Sequence, residues 1–247
     1  MNAASSQHGA AGTAPSARLI TVIAVVLTFA SGASDVTSIT RLGNVFTSVM
    51  TGNMALFGLS LARESVSQAT HTATAVASYV AGVAIGTRIG LYAERRSARS
   101  AGQPPGEHWP PSMPLLLATQ LLLLAGVLAG WEVTGARPAG GAQFVILALA
   151  AGAMGIQSAA VSQMGLGNVS TTYLTGTLTG LVTAMIHPGS KPGWRRPAVI
   201  GGLVAGAVLA GALLAGAPAA VPLLPLLGVA AALLLGGGRQ WRDSRRS

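Results

Sequence analysis

Few side chains in this sequence are equipped for chemistry, and they recur in a pattern. Residues 42–52 read LGNVFTSVMTG and residues 166–176 read LGNVSTTYLTG, with seven identities at a constant offset of 124. The same ungapped offset pairs Ser34 with Ser158, and Val80-Ala81-Gly82 with Val204-Ala205-Gly206. An internal repeat of this kind points to two related halves. Asn44, Thr47 and Thr51 stand at i, i+3 and i+7, as do Asn168, Thr171 and Thr175, so a helix would place each set on one face. With Gly43 and Gly167 just ahead, a helix N-terminus at each asparagine is expected, its free N–H groups facing a polar or anionic ligand. The plain alternative is asparagine as cap, threonines bonded to their own backbone, and Gly52 and Gly176 packed against a neighbour.

Asp35 is the one carboxylate well inside an apolar segment, where a charge is costly and faces a cavity or a partner. It is either an acid that couples to protons or cations, or half of an interfacial pair with Arg41. Its equivalent at the 124 offset is Ala159; Gln157, two positions earlier, supplies a polar contact in the second half instead. Gln120 is expected to join helices by a hydrogen bond, and Glu132 to lie near an interface. His71, His108 and His187 sit at segment ends without metal-ligand spacing. The pairs Gly82/Gly86 and Gly202/Gly206 read as helix-packing faces.

The elements that hold these residues follow from composition. Of 247 residues, 51% are apolar and 9% charged, with 33 glycines and no cysteine. A water-exposed domain of this size would carry roughly a quarter charged residues, so the sequence describes an all-α polytopic helical membrane protein. Apolar segments fall at about 19–38, 44–62, 72–92, 114–134, 142–162, 168–187, 197–217 and 219–237, each near the length that crosses a bilayer. The second and sixth are rich in Ser, Thr and Gly, so the count is about eight, with six possible. The organisation expected is a disordered tail at 1–18, a first membrane repeat at 19–134, a second at 142–237 and a basic tail at 238–247. The first apolar run lacks a cleavage site and reads as a retained helix. Four helices per repeat, an even number, predict two parallel-topology repeats related by an axis along the membrane normal.

The net charge of +9 does not point to nucleic acid, because the basic residues lie between or after apolar segments, where they act as topology signals and lipid contacts. Cytosolic termini place ten Lys and Arg inside and five outside on an eight-helix count. The basic stretch at 93–113 opposes that arrangement; if it is cytosolic, one earlier helix has been miscounted. Enzyme signatures such as GxSxG, HExxH and the phosphate-binding Gly-Lys-Ser/Thr loop are missing, and six acidic residues leave few players for acid–base chemistry. No enzyme, metal or cofactor is expected.

Gly32-Ala33-Ser34-Asp35, Leu42-Gly43-Asn44-Val45-Phe46 and Thr51-Gly52-Asn53, followed by Met154-Gly155-Ile156-Gln157-Ser158 and Thr171-Thr172-Tyr173-Leu174-Thr175-Gly176-Thr177, resemble the signature of the YoaK-like bacterial membrane family. The resemblance spans nearly the whole chain beyond residue 18. It implies a multi-pass protein of the bacterial inner membrane with no established substrate, and marks Asp35, Asn53 and Gln157 as family-motif positions. The function expected is small-solute transport or a channel, with a site between the repeats lined by Asp35, Asn44, Thr47, Thr51, Asn53, Gln157, Asn168, Thr171, Thr175 and Thr177. The alternative is a non-transporting scaffold. The partners expected are membrane lipids and an unidentified solute.

Overall fold

A computed structural model of the chain describes residues 17–97, 109–164, 174–186 and 194–243; the expected N-terminal tail lies almost wholly outside them. Among the described residues all regular structure is helical: α1 (Ala17–Arg41), α2 (Met50–Ala62), α3 (Val66–Ser97), α4 (Met113–Val133), α5 (Gly140–Gln163), α6 (Leu174–Ile186), α7 (Arg195–Gly216) and α8 (Leu223–Asp243), with a short 3-10 turn at Pro218–Ala220. Six of the eight α-helices are long and apolar enough to cross a membrane. Their outward faces are apolar, with Leu122 and Leu234 more than 70% exposed, as suits helices surrounded by lipid rather than water.

The two exceptions are α2 and α6, of 13 residues each. At about 1.5 Å per residue such a helix covers roughly 20 Å, short of the ~30 Å hydrocarbon core. Among the described residues, neither the segment expected at 44–62 nor the described part of 168–187 is long enough for a full crossing, and six helices are. Around α2 the chain leaves and returns on one end of the bundle: the Gln68 amide near the start of α3 reaches the Asn44 carbonyl just past α1, at 3.4 Å.

The helices associate by close backbone approach. A Cβ on Gly82 would run into the Gly152 carbonyl, and one on Gly206 into that of Phe29. Both glycines belong to the GxxxG pairs, which indeed form packing faces. These contacts join α3 to α5 and α1 to α7, the most extensive pairings of the bundle. Helices without a hydrophobic driving force between them associate through such small-residue seams. In both seams the contacts climb together, Gly82 at Gly152 and Gly90 at Gln163, Gly202 at Val25 and Gly206 at Phe29, so each pair runs parallel.

α1 and α5 run in opposite directions. The Gln143 amide at the start of α5 donates to the Arg41 carbonyl at the end of α1 (2.8 Å), while Gln157 further along α5 donates to Leu27 (3.0 Å). The 124 offset equates α1 with α5, so the expected parallel relation between the two halves is corrected to an antiparallel one. The physical reason is the short α2: without it, three helices cross before α5, and an odd number of crossings reverses the direction.

The same count settles the conflict over charge. One end of the bundle gathers the start of α1, the ends of α3 and α5, the start of α7 and the end of α8. Among the described residues this end carries Arg18, Arg88, Arg95, Arg96, Arg195, Arg196, Arg239 and Arg242. The other end carries Arg41, Arg63 and Arg137. Arg95 and Arg96, at the end of α3, fall on the rich end, as they must if one earlier helix is not a crossing.

Candidate functional site

α1 stops where its backbone turns left-handed. Gly43 (φ +91°) and Asn44 (φ +56°) end the helix as a glycine-led C-terminal turn. Asn44 therefore does not open a helix: α2 begins at Met50, six residues later. The expected single face of Asn44, Thr47 and Thr51 is corrected accordingly. Asn44 and Thr51 are exposed and Thr47 is buried.

The eight residues between the two helices form a loop that folds back against α1. Buried non-helical backbone needs its polar groups satisfied by protein or water, and two side chains do this here. Asp35 Oδ1 accepts from the backbone N–H groups of Thr47 and Ser48, both at 2.8 Å, and from Thr47 Oγ1 at 2.9 Å. Its Oδ2 accepts from Ser48 Oγ at 2.6 Å. From α2, Asn53 accepts from the Phe46 N–H (2.9 Å) and donates to the Phe46 carbonyl (2.7 Å). The expected partnership of Asp35 with Arg41 is replaced by these four bonds to Thr47 and Ser48. Ser48, not singled out in the sequence, binds through both backbone and side chain; the signal was there, since the second copy of the motif also has a hydroxyl at this position, Thr172.

One helical turn from Asp35, α1 meets the second polar group. Gln157 Nε2 donates to Ser31 Oγ (2.8 Å) and to the Leu27 carbonyl, and Gln157 Oε1 accepts from Gln120 Nε2 (2.8 Å). α1, α4 and α5 are thus tied together in the interior, and Gln120 is the interhelical link expected of it.

These groups share a face of α1. Thr21, Thr28, Ser31, Asp35 and Ser38 follow the spacing i, i+7, i+10, i+14 and i+17, and all are buried. At about 1.5 Å per residue the stripe runs for roughly 25 Å, close to the thickness of the hydrocarbon core. Thr28 and Ser31 return bonds to carbonyls one turn back. Two buried atoms along it have no hydrogen-bond partner: Ser38 Oγ and Gln120 Oε1. Groups of this kind are uncommon in folded proteins, and water or a ligand is their usual complement. Nothing among the described residues gathers the three or more His, Cys, Asp or Glu side chains a metal ion would need.

The structure thus brings Asp35, Thr47 and Asn53 together around one loop and places Gln157 one turn away. Thr175 lies exposed on α6 and Thr177 is buried there. Asn168 and Thr171 lie outside the described residues. Residues 23–236 match the family described as "Protein of unknown function (DUF1275)". A relative from Bacillus subtilis (strain 168), the UPF0700 transmembrane protein YoaK, is 28% identical over 157 residues, covering 64% of this chain and 63% of that protein. The chain thus aligns with less than two thirds of the length of that curated relative. No solved structure matches.

Proposed function

The chain belongs to this multi-pass membrane family of unknown function, and from that premise we infer that it moves a small polar solute across the bacterial plasma membrane, along the buried face of α1. The observation that carries the reading is the polar stripe from Thr21 to Ser38 with two open hydrogen-bonding atoms beside it. A purely structural seam has no use for unsatisfied polar atoms in lipid, where each costs free energy. A passing solute or water chain gives them partners.

Two further features fit. The antiparallel α1 and α5, with three long helices in each half, suit an inverted repeat, a frequent plan of secondary transporters. Short helices in corresponding positions of such halves mark the region of the solute path. α2 (Met50–Ala62) and α6 (Leu174–Ile186) stand in positions related by the 124 offset. α2 packs on α3 and α6 on α7, with Arg196 near the start of α7 bonded to the Gly180 carbonyl of α6. The short helices then sit at opposite ends of the bundle. The excess of arginine assigns the end holding Arg95, Arg96, Arg195 and Arg196 to the cytosol. On this reading Asp35 and Asn53 hold the re-entrant loop in place beside the path, and Asp35 sets its charge preference. Lipids and the solute are the partners, and no catalytic step is involved.

A scaffold role is favoured by a different observation, the glycine seams of α3 with α5 and α1 with α7, where backbones meet directly. Uptake by proteoliposomes against a panel of small polar metabolites separates the two. Uptake of some solute that falls severalfold in Ser38→Val, with folding yield retained, supports the path. Absence of uptake across the panel, with full incorporation, supports the scaffold.

A further inference from the structure

α1 packs against α5, α7 and α8, which cover most of its surface. Between Thr21 and Ala30 only Val22, Val25, Val26 and Phe29 keep exposure. At about 3.6 residues per turn these four share one face, on the far side of the helix from the polar stripe. Arg18, one turn before Val22, heads the same face and is exposed. α7 and α8 flank this face and scarcely touch each other. Between them runs an open cleft of about 570 Å³, floored by Val25, Val26 and Phe29 and walled by Gly201 and Ala205 of α7 and Leu227 of α8. Its size falls within the range of small-molecule sites. Small residues make the room. A Cβ on Gly202 or Gly228 would meet the carbonyl of Val25 or Val26, whereas one on Gly201 would meet nothing within 4 Å.

The other half of the molecule has no such opening. At the 124 offset Val22, Val25, Val26 and Phe29 correspond to Ile146, Leu149, Ala150 and Ala153, and of these only Leu149 is not buried. There the Tyr79 hydroxyl of α3 donates to Ser158 Oγ of α5 (2.7 Å), and Leu123 of α4 stands where a Cβ on Gly152 would touch it. The repeated backbone plan alone therefore does not produce the cleft.

From Arg18 to Phe29 the chain advances eleven residues, about 16 Å of helix and close to half of the ~30 Å hydrocarbon core. The face thus runs from headgroup level to the middle of the membrane. Arg195 opens α7 at the same end, and Trp194, a residue favoured at membrane interfaces, stands just ahead of it. We propose that the cleft holds one acyl chain of an anionic phospholipid whose headgroup is met by Arg18. The apolar lining supplies contact along the chain. The cationic side chain at the surface favours an anionic headgroup over a zwitterionic one. This lipid site needs no transported solute, so it does not rest on the transport reading.

The test takes the full chain in detergent, delipidated and then offered equal amounts of phosphatidylglycerol and phosphatidylcholine with identical acyl chains. Retained lipid is counted by native mass spectrometry. The parent should prefer phosphatidylglycerol by at least about fivefold, the contribution of a single arginine near a membrane surface. Gly201→Leu adds a side chain where the protein leaves space. It should cut retention of both lipids at least about tenfold by shutting the acyl chain out, as should Ala205→Leu on the same wall. Arg18→Gln should keep the acyl contacts and lower the preference for phosphatidylglycerol about fivefold. Leu122→Phe, on the outer face of α4, should change neither quantity. Equal retention of the two lipids by the parent overturns the proposal, as does unchanged retention in both cleft-filling variants. A parent dimer that Gly201→Leu turns into a monomer assigns the cleft to a second copy and overturns it as well.

Discussion

The two halves share a backbone plan and differ in chemistry. α1 and α5 each pack along a partner helix through a glycine seam, and each is followed by a 13-residue helix. Yet the polar stripe belongs to α1 alone. At the 124 offset, Thr21, Thr28, Ser31 and Asp35 correspond to Val145, Gly152, Gly155 and Ala159; only Ser38 finds a like residue, Ser162. Packing is a property both copies need. A buried polar face costs free energy wherever it is built, and only the first half carries one.

Breaking what both halves share should have the largest effect. Gly82→Leu and Gly206→Leu each drive a side chain into a backbone carbonyl, and either should destabilise the bundle by more than about 4 kcal/mol. The check is recovery of monodisperse protein in detergent. Comparable losses from the two variants support equivalent seams; a mild effect from one of them breaks the equivalence.

Asp35 sharpens the comparison from the other side, because nothing in the second half replaces it. Asp35→Ala leaves the N–H groups of Thr47 and Ser48 buried without acceptors, at about 1–3 kcal/mol each. Thermal unfolding should show a total loss of about 3–5 kcal/mol, with proteolysis starting in the loop at 42–49. Asp35→Asn keeps an oxygen for the three Oδ1 bonds, and Ser48 Oγ can turn to accept from the new amide. Its stability loss should be about 1–2 kcal/mol. A change in solute charge preference in that variant, with folding yield intact, would place the carboxylate in the path rather than only at its wall.

Gln157→Leu removes the bridge to Ser31 and Leu27 and leaves the Gln120 amide without its partner. Interhelical hydrogen bonds in membranes are modest, so the expected loss is about 1–2 kcal/mol. Double-mutant cycles with Gln120→Leu should show the two effects to be non-additive, and simple additivity would argue that the pair does not act as a unit. The smallest effect is expected at Asn44. It is exposed and left-handed, a setting glycine occupies readily, so Asn44→Gly should stay within about 0.5 kcal/mol of the parent in thermal unfolding.

Much of this was legible in the residues themselves. Nine per cent charge and 33 glycines dictate helices in lipid, since no soluble surface can be made from them. Gly82 and Gly206 announce close packing because only glycine admits a backbone at that distance. Asp35 stands out because a carboxylate in an apolar run must find donors. Other features were decided by tertiary structure. Asn44 follows a glycine and precedes an apolar run, which fits a helix start and a helix end equally well. The outcome depends on Asp35 and Asn53, each nine residues away, holding the loop between them. That loop shortens α2, and a short α2 changes the number of crossings and so reverses the second half. His71 looked idle in the sequence because its partner Gln143 lies 72 residues away. Composition and local pattern act through the solvent and the nearest turns of chain, so they settle class and packing. Direction, loop and the His71–Gln143 contact depend on which distant donor meets which acceptor, and only the folded chain brings those together.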